Sequence, residues 1–154
     1  MWKKIIYIAF MSLIVLNSCE KDEIKAVLPK NPKTPIIISP TAGTNFVLTA
    51  EKKDSTFWIT WKEANFGFSA SVSYSIQYAT EYGNYVAKSN LYSKVNYNDS
   101  ALIKIGDFNS KLMKDLALSE NAISTIKVRI AAVISDKVDT VYSPDVFLYV
   151  HPNK

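Results

Sequence analysis

From residue 36 onward the chain is written in short alternating segments. Phe57, Ile59 and Trp61 alternate with Trp58 and Thr60, so in an extended strand the first three share one face and Trp58 takes the other. Val72, Tyr74, Ile76 and Tyr78 alternate in the same way with Ser73, Ser75 and Gln77, and Ile126, Val128, Ile130 and Ala132 alternate with Lys127 and Arg129. Val146, Leu148 and Val150 form a last segment of this kind, while Ile36-Ile37-Ile38 and residues 46–49 form two short early ones. Further short strands are expected over 85–88, 92–97 and 101–105. One stretch departs from the period of two. Over 108–118, Leu112, Met113, Leu116 and Leu118 recur at helical spacing, which predicts one short helix with Asn109 or Ser110 as its cap. Short β-branched and aromatic strands with turn residues every ten or so positions predict an all-β sandwich, with Trp61 in its core. No internal repeat of fixed period is present.

The N-terminus follows a different rule. Lys3 and Lys4 precede a mostly apolar run over residues 5–16, which suits the hydrophobic region of a signal peptide and is short of the roughly 20 residues that span a bilayer. The run ends in Leu16-Asn17-Ser18-Cys19, where the only cysteine of the chain sits. This looks like a bacterial lipobox, whose chemistry needs a thiol to receive diacylglycerol and a small side chain before the cleaved bond. The alternative is a structural or chance cysteine after an uncleaved hydrophobic helix. With the lipobox, the mature protein begins at lipidated Cys19 and is anchored to a membrane without spanning it, since each buried methylene contributes about 0.8 kcal/mol.

Directly after Cys19 comes Glu20-Lys21-Asp22-Glu23. Lys21, Asp22 and Glu23 resemble the surface-export signal of lipoproteins from the Bacteroidota, which would place the domain on the outer membrane facing out of the cell. The alternative is the start of a solvated linker. Residues 20–35 carry Pro29, Pro32 and Pro35 and little periodicity, and read as a tether with polyproline-II character. At about 3.1 Å per residue it would hold the domain up to roughly 45 Å from the lipid. The expected division is a signal peptide over 1–18, a lipidated cysteine and flexible tether over 19–34, and one sandwich domain over 35–152.

Composition narrows the chemistry. The chain has 154 residues, 48% of them hydrophobic, which suits a single globular domain. Removal of Lys3 and Lys4 with the leader leaves sixteen Lys and Arg against fourteen Asp and Glu, too even a balance for a nucleic-acid partner. A single cysteine cannot form an internal disulfide, no Cys/His cluster is available for a zinc site, and the one histidine, His151, three residues from the C-terminus, argues against a histidine-based triad and is expected in a solvated terminal tail. The four glycines are too dispersed for a phosphate-binding loop or a dinucleotide fingerprint, so no cofactor is expected. A glycosidase needs two carboxyl groups about 5–10 Å apart in a cleft. The acids here, Glu63, Asp107, Asp115 and Asp145 among them, fall at predicted turns and polar edges, so the expectation is a protein that is not an enzyme.

Sugars bind by stacking an apolar face on an aromatic ring while polar neighbours take the hydroxyls. Trp58 is the leading glycan-binding candidate, because alternation points it away from the core. Its alternative is to pack beneath the proline-rich N-terminal segment or a neighbouring loop. Tyr82, Tyr85, Tyr92 and Tyr97, interleaved with Asn84, Asn90, Asn96 and Asn98, would suit a shallow polar surface, although tyrosines are also common cross-strand partners. Asp54-Ser55-Thr56, Asp99-Ser100-Ala101 and Asp139-Thr140-Val141 resemble the O-glycosylation acceptor pattern of exported Bacteroidota proteins, with Ser55, Ser100 and Thr140 as acceptors.

Ile59-Thr60-Trp61, Tyr74-Ser75-Ile76-Gln77-Tyr78 and the 126–132 segment resemble strands B, C and F of the fibronectin type III version of the immunoglobulin-like sandwich. With the 61–70 run that leads to Tyr74, the Cys19-Glu20-Lys21-Asp22-Glu23 start, Lys25-Ala26-Val27-Leu28-Pro29 and the leucine-rich 109–119 stretch, the chain resembles the N-terminal domain of SusE-like outer-membrane lipoproteins. These are accessory glycan-binding proteins of starch-utilisation-type systems. The resemblance implies a surface lipoprotein working beside a SusCD-type transporter complex, with starch, maltooligosaccharide or another glycan as ligand. Longer members continue into C-terminal carbohydrate-binding modules, and this chain stops at Lys154. A structural module that docks a partner protein and touches no sugar therefore stands beside the glycan-binding reading.

Overall fold

A computed structural model of the chain describes residues 29–85, 90–95 and 99–153. Its strands are β1 (Ile36–Ser39), β2 (Asn45–Leu48), β3 (Thr56–Lys62), β4 (Ser73–Thr80), β5 (Asn90–Val95), β6 (Ser100–Lys104), β7 (Ser124–Val133), β8 (Val141–Tyr142) and β9 (Val146–Pro152), and the helix α1 (Ile105–Leu116) follows β6 directly. A smaller antiparallel sheet runs β1-β3-β6, and a larger one runs β2-β9-β7-β4-β5 with β8 added on β7. β2 lies parallel to β9, and the other pairings in the larger sheet are antiparallel.

The sheets face each other because every long strand has one apolar side. Ile59 and Trp61 of β3 meet Tyr74, Ile76 and Tyr78 of β4, Ile126, Val128, Ile130 and Ala132 of β7, and Leu148 and Val150 of β9, all buried in one cluster. Trp61 is 1% exposed, with its ring 5.6 Å from that of Tyr74. Each such aliphatic or aromatic side chain, fully buried, contributes about 1.5–3 kcal/mol. The architecture is the expected all-β sandwich, with one short helix before β7.

The helix begins earlier than its leucines suggest. It starts at Ile105, with Lys104 in the N-cap position and no side-chain cap, rather than at Asn109 or Ser110. Its first free N–H groups are satisfied by main chain: Ile105 N donates to the Ser55 carbonyl and Gly106 N to the Lys53 carbonyl, each at 2.9 Å. A capping residue is unnecessary where another turn supplies the acceptors. Phe108 and Leu112 are the side chains that α1 buries, which closes one end of the sandwich.

Asn109, inside the helix, binds the main chain of Asn153 in both directions, its Nδ2 donating to the Asn153 carbonyl and its Oδ1 accepting from Asn153 N at 3.2 Å. The C-terminal end is thereby held against α1. His151, expected in a solvated tail, instead sits half-buried in β9 opposite Val47. The N-terminal boundary shifts as well. Lys33 exchanges two main-chain hydrogen bonds with Asn65, at 2.9 and 3.0 Å, and Pro35 is buried. The last residues expected in the flexible tether therefore lie along the β3–β4 loop. The 85–88 strand is not seen at Tyr85, which is outside any strand, and residues 86–88 lie outside the described residues.

Gly106 offers a test in which two principles oppose each other. Alanine is the better helix former by about 0.8–1 kcal/mol, but a Cβ here would stand 2.9 Å from the Lys53 carbonyl oxygen. Gly106→Ala should lower the unfolding free energy by about 1–3 kcal/mol, the usual cost of overpacking, as read from urea denaturation. A gain in stability would mean that the 53–55 turn yields freely.

Candidate functional site

Both sheets turn one face to solvent, and each outer face collects exposed aromatic or aliphatic side chains. On the smaller sheet the outward positions of β3 are Thr56, Trp58, Thr60 and Lys62. Trp58 stands directly across from Leu102 of β6, Thr60 from Ser100, and Lys62 from Ile36 of β1. Ile36, Ile38, Trp58 and Leu102 are each between 49% and 60% exposed. At the border of this apolar group Lys104 Nζ pairs with Asp54 at 2.8 Å, which holds the Asp54 carboxyl below its ordinary range. Trp58 is thus open to solvent, as alternation predicts, but most of its large neighbours are aliphatic.

The outer face of the larger sheet has a different chemistry. Phe147 and Tyr149 of β9 are 43% and 47% exposed and lie two residues apart on one face, a separation of about 7 Å along a strand. Phe147 is opposite Lys127, and Tyr149 lies between Thr125 of β7 and Asn45 of β2. Polar groups able to bond hydroxyls therefore border both rings.

Beside them Arg129 is held between two aromatic rings, with Cζ 3.7 Å from the Tyr85 centroid and 3.8 Å from that of Tyr142. Arg129 Nε donates to Gln77 Oε1 at 2.9 Å, and the Tyr85 hydroxyl donates to Asp145 at 2.7 Å. Burial, followed by that hydrogen bond and the Asp145 charge, holds the Tyr85 hydroxyl well above its ordinary pKa. The cluster presents rings and cations in fixed positions, which limits the entropy lost when a ligand lies on them.

The remaining candidates scatter. Tyr82, 91% exposed, is on the same β4–β5 connection as Tyr85 but makes none of the ring contacts described for the cluster, and the side chains of Tyr92 and Tyr97 lie outside the described residues, as do Cys19, Lys21, Asp22 and Glu23. Asp115, expected at a turn or polar edge, is on α1 and accepts a hydrogen bond from buried Tyr78, and Asp107 lies in the first turn of the same helix. Among the described residues no group of three His, Cys, Asp or Glu side chains is placed to hold a metal ion. Ser55 lies in the turn before β3, Ser100 in β6, and Thr140 just before β8. Phe147 and Tyr149 were open to the same reasoning as Trp58: alternation that turns Val146, Leu148 and Val150 inward turns their neighbours outward. The Arg129 clamp carries no such signal, because Tyr85 arrives from a distant loop.

The profile of the family described as SusE outer membrane protein matches residues 21–131. No curated protein matches the chain. Among solved structures, the periplasmic chaperone SfaE is similar at 12% identity and a TM-score of 0.40, over 78% of this chain and 58% of SfaE. A chain of the CsuC–CsuE chaperone–tip adhesion subunit pre-assembly complex of Acinetobacter baumannii is similar at 9% identity and a TM-score of 0.38, over 72% of this chain and 49% of that one. The chain thus spans less than two thirds of the length of either.

Two tyrosines give this geometry a pH signature. Burial and hydrogen bonds to Asp115 and Asp145 raise Tyr78 and Tyr85 above the ordinary value of 10.0. A raised folded-state pKa contributes stability that is complete below the unfolded value and is lost as pH climbs through the folded one. Unfolding free energy should therefore fall as pH rises above about 10. In Tyr85→Phe the fall should be smaller; an unchanged slope would mean that Tyr85 ionises as freely folded as unfolded.

Proposed function

The chain belongs to the SusE outer membrane protein family, and on that premise we propose that this outer-membrane protein is a non-catalytic, glycan-contacting accessory of a SusCD-type uptake system. Lipidation at Cys19 would anchor it, and Lys21, Asp22 and Glu23 would direct it to the cell surface. The observation that carries the glycan reading is the Phe147–Tyr149 pair on β9, two exposed aromatic side chains about 7 Å apart along one face of the strand, with Asn45, Thr125 and Lys127 beside them. Stacking on the rings supplies apolar contact, and the polar neighbours supply hydroxyl partners. The face is open rather than cleft-like, which favours the side of a chain over a single sugar. Trp58 remains the competing platform, on a face poorer in polar partners.

A second reading, a lipid-anchored spacer or protein-docking module that binds no sugar, draws on the edge strand β1 and its exposed Ile36 and Ile38.

Isothermal titration of the mature chain against maltooligosaccharides and a panel of other glycans separates these readings. Phe147→Ala and Tyr149→Ala should each weaken binding about tenfold, the equivalent of about 1.4 kcal/mol, while Trp58→Ala should leave it unchanged. Loss of binding in Trp58→Ala alone would move the site to the smaller sheet. Silence across the panel would leave the spacer reading.

A further inference from the structure

We infer that the outer face of the smaller sheet, Ile36, Ile38, Trp58 and Leu102, is a docking surface for a phospholipid bilayer, so that the domain lies on the membrane that anchors it and turns its larger sheet outward. The inference rests on the lipid anchor proposed at Cys19. Four large apolar side chains, each about half exposed, share this face. Trp58 and Leu102 are direct cross-strand neighbours towards one end of the face, while Ile36 lies across from Lys62 towards the other and Ile38 falls in the irregular stretch before Ser39, which pairs with Thr60. Four half-exposed large apolar side chains on one face of a small domain, interrupted by Thr60 and Ser100, mark a contact site.

The course of the chain argues for the occupant. The described chain begins at Pro29, which rests against Gly67, is pinned at Lys33 to Asn65, and passes through buried Pro35 directly into Ile36. The apolar face thus starts where the N-terminal segment joins the domain. Nine residues, and so ten Cα–Cα steps, separate Cys19 from Pro29, a span of at most about 36 Å fully extended. An acylated Cys19 would therefore confine this face near a bilayer at a local concentration in the millimolar range, at which weak apolar contacts suffice.

The residue types fit as well. Tryptophan prefers the boundary between headgroups and acyl chains, and isoleucine and leucine beside it contribute area without hydroxyl-bonding capacity. Lys62, opposite Ile36, and Lys33 can reach headgroups with their amines while their stems lie on apolar surface. The rim is mixed, because Glu63 and Asp99 line the adjoining groove and Asp54 is paired with Lys104, so the apolar side chains drive the contact. The outer face of the larger sheet, with Phe147 and Tyr149, is on the opposite side of the sandwich and would remain open to a glycan.

The test uses the full chain, matured in cells, purified in detergent and reconstituted into phosphatidylcholine–phosphatidylglycerol vesicles whose acyl chains carry bromine, a contact quencher of indole. After removal of the leader the chain holds two tryptophans, exposed Trp58 and buried Trp61, so Trp58→Phe isolates the signal. Docking predicts that the Trp58 contribution shifts to shorter wavelength and loses about half its intensity or more, that Trp58→Phe shows neither change, and that Ile38→Asp with Leu102→Asp abolishes both.

Protein that floats with the vesicles but keeps an unquenched, water-exposed Trp58 signal would overturn the docking and leave the anchor standing. Protein that fails to float would overturn the anchor and the docking together. An unquenched signal accompanied by a crosslinked dimer that Ile38→Lys removes would assign the face to a second copy of the chain instead.

Discussion

The pairing of β4 with β7 over eight consecutive positions, from Ser73 opposite Val133 to Thr80 opposite Ile126, sets the faces of the larger sheet. Because side chains alternate with a period of two, a slip of one residue would turn Tyr74, Ile76 and Tyr78 to solvent and bring Ser75 and Gln77 inside. The same register passes to β9 through β7, where Ile126 meets Leu148 and Lys127 meets Phe147. Core and surface are thus two readings of one pairing. The arrangement that buries Leu148 and Val150 is also the one that exposes Phe147 and Tyr149 beside Lys127 and Thr125.

The smaller sheet obeys the same constraint with a different composition. Burial of Ile59 and Trp61 turns Trp58 and Thr60 outward, and pairing with β6 and β1 adds Leu102 and Ile36 to that face. The two outer surfaces are chemically unequal, one mainly aliphatic around a single indole, the other aromatic and cationic with bound carboxamide and carboxylate partners. Exposed apolar side chains on an edge sheet carry an aggregation risk. Pro35 and Pro40, both buried, bracket β1, so the segment able to pair with another chain is short. The two faces therefore offer contact surfaces of different chemistry.

The end of the sandwich away from Lys33 and Asn65 is closed by hydrogen bonds between distant segments rather than by strong local signals. α1 draws its first two hydrogen-bond acceptors from the turn at Lys53 and Ser55, and Asn109 and Asn121 hold Asn153 on the other side. Ala117 ends the helix in a left-handed conformation, at φ 52, which glycine adopts more readily. An N-capping side chain would have made the start of this helix visible, and none is present because the turn at Lys53 and Ser55 supplies the acceptors.

The alternation of Phe57, Ile59 and Trp61, of Tyr74, Ile76 and Tyr78, and of Ile126, Val128 and Ile130 by itself determined the strands, their inward faces and the sandwich class, because a two-residue period is a local property of an extended chain. It also determined that Trp58, Phe147 and Tyr149 point outward. The tertiary structure alone decided which outward residues become neighbours. Arg129 between Tyr85 and Tyr142, Trp58 beside Leu102, the N-terminus of α1 on Lys53 and Ser55, and the docking of Lys33 on Asn65 each join segments that are remote in the chain or belong to different strands. Such contacts depend on register and loop path, which no local pattern of side chains encodes.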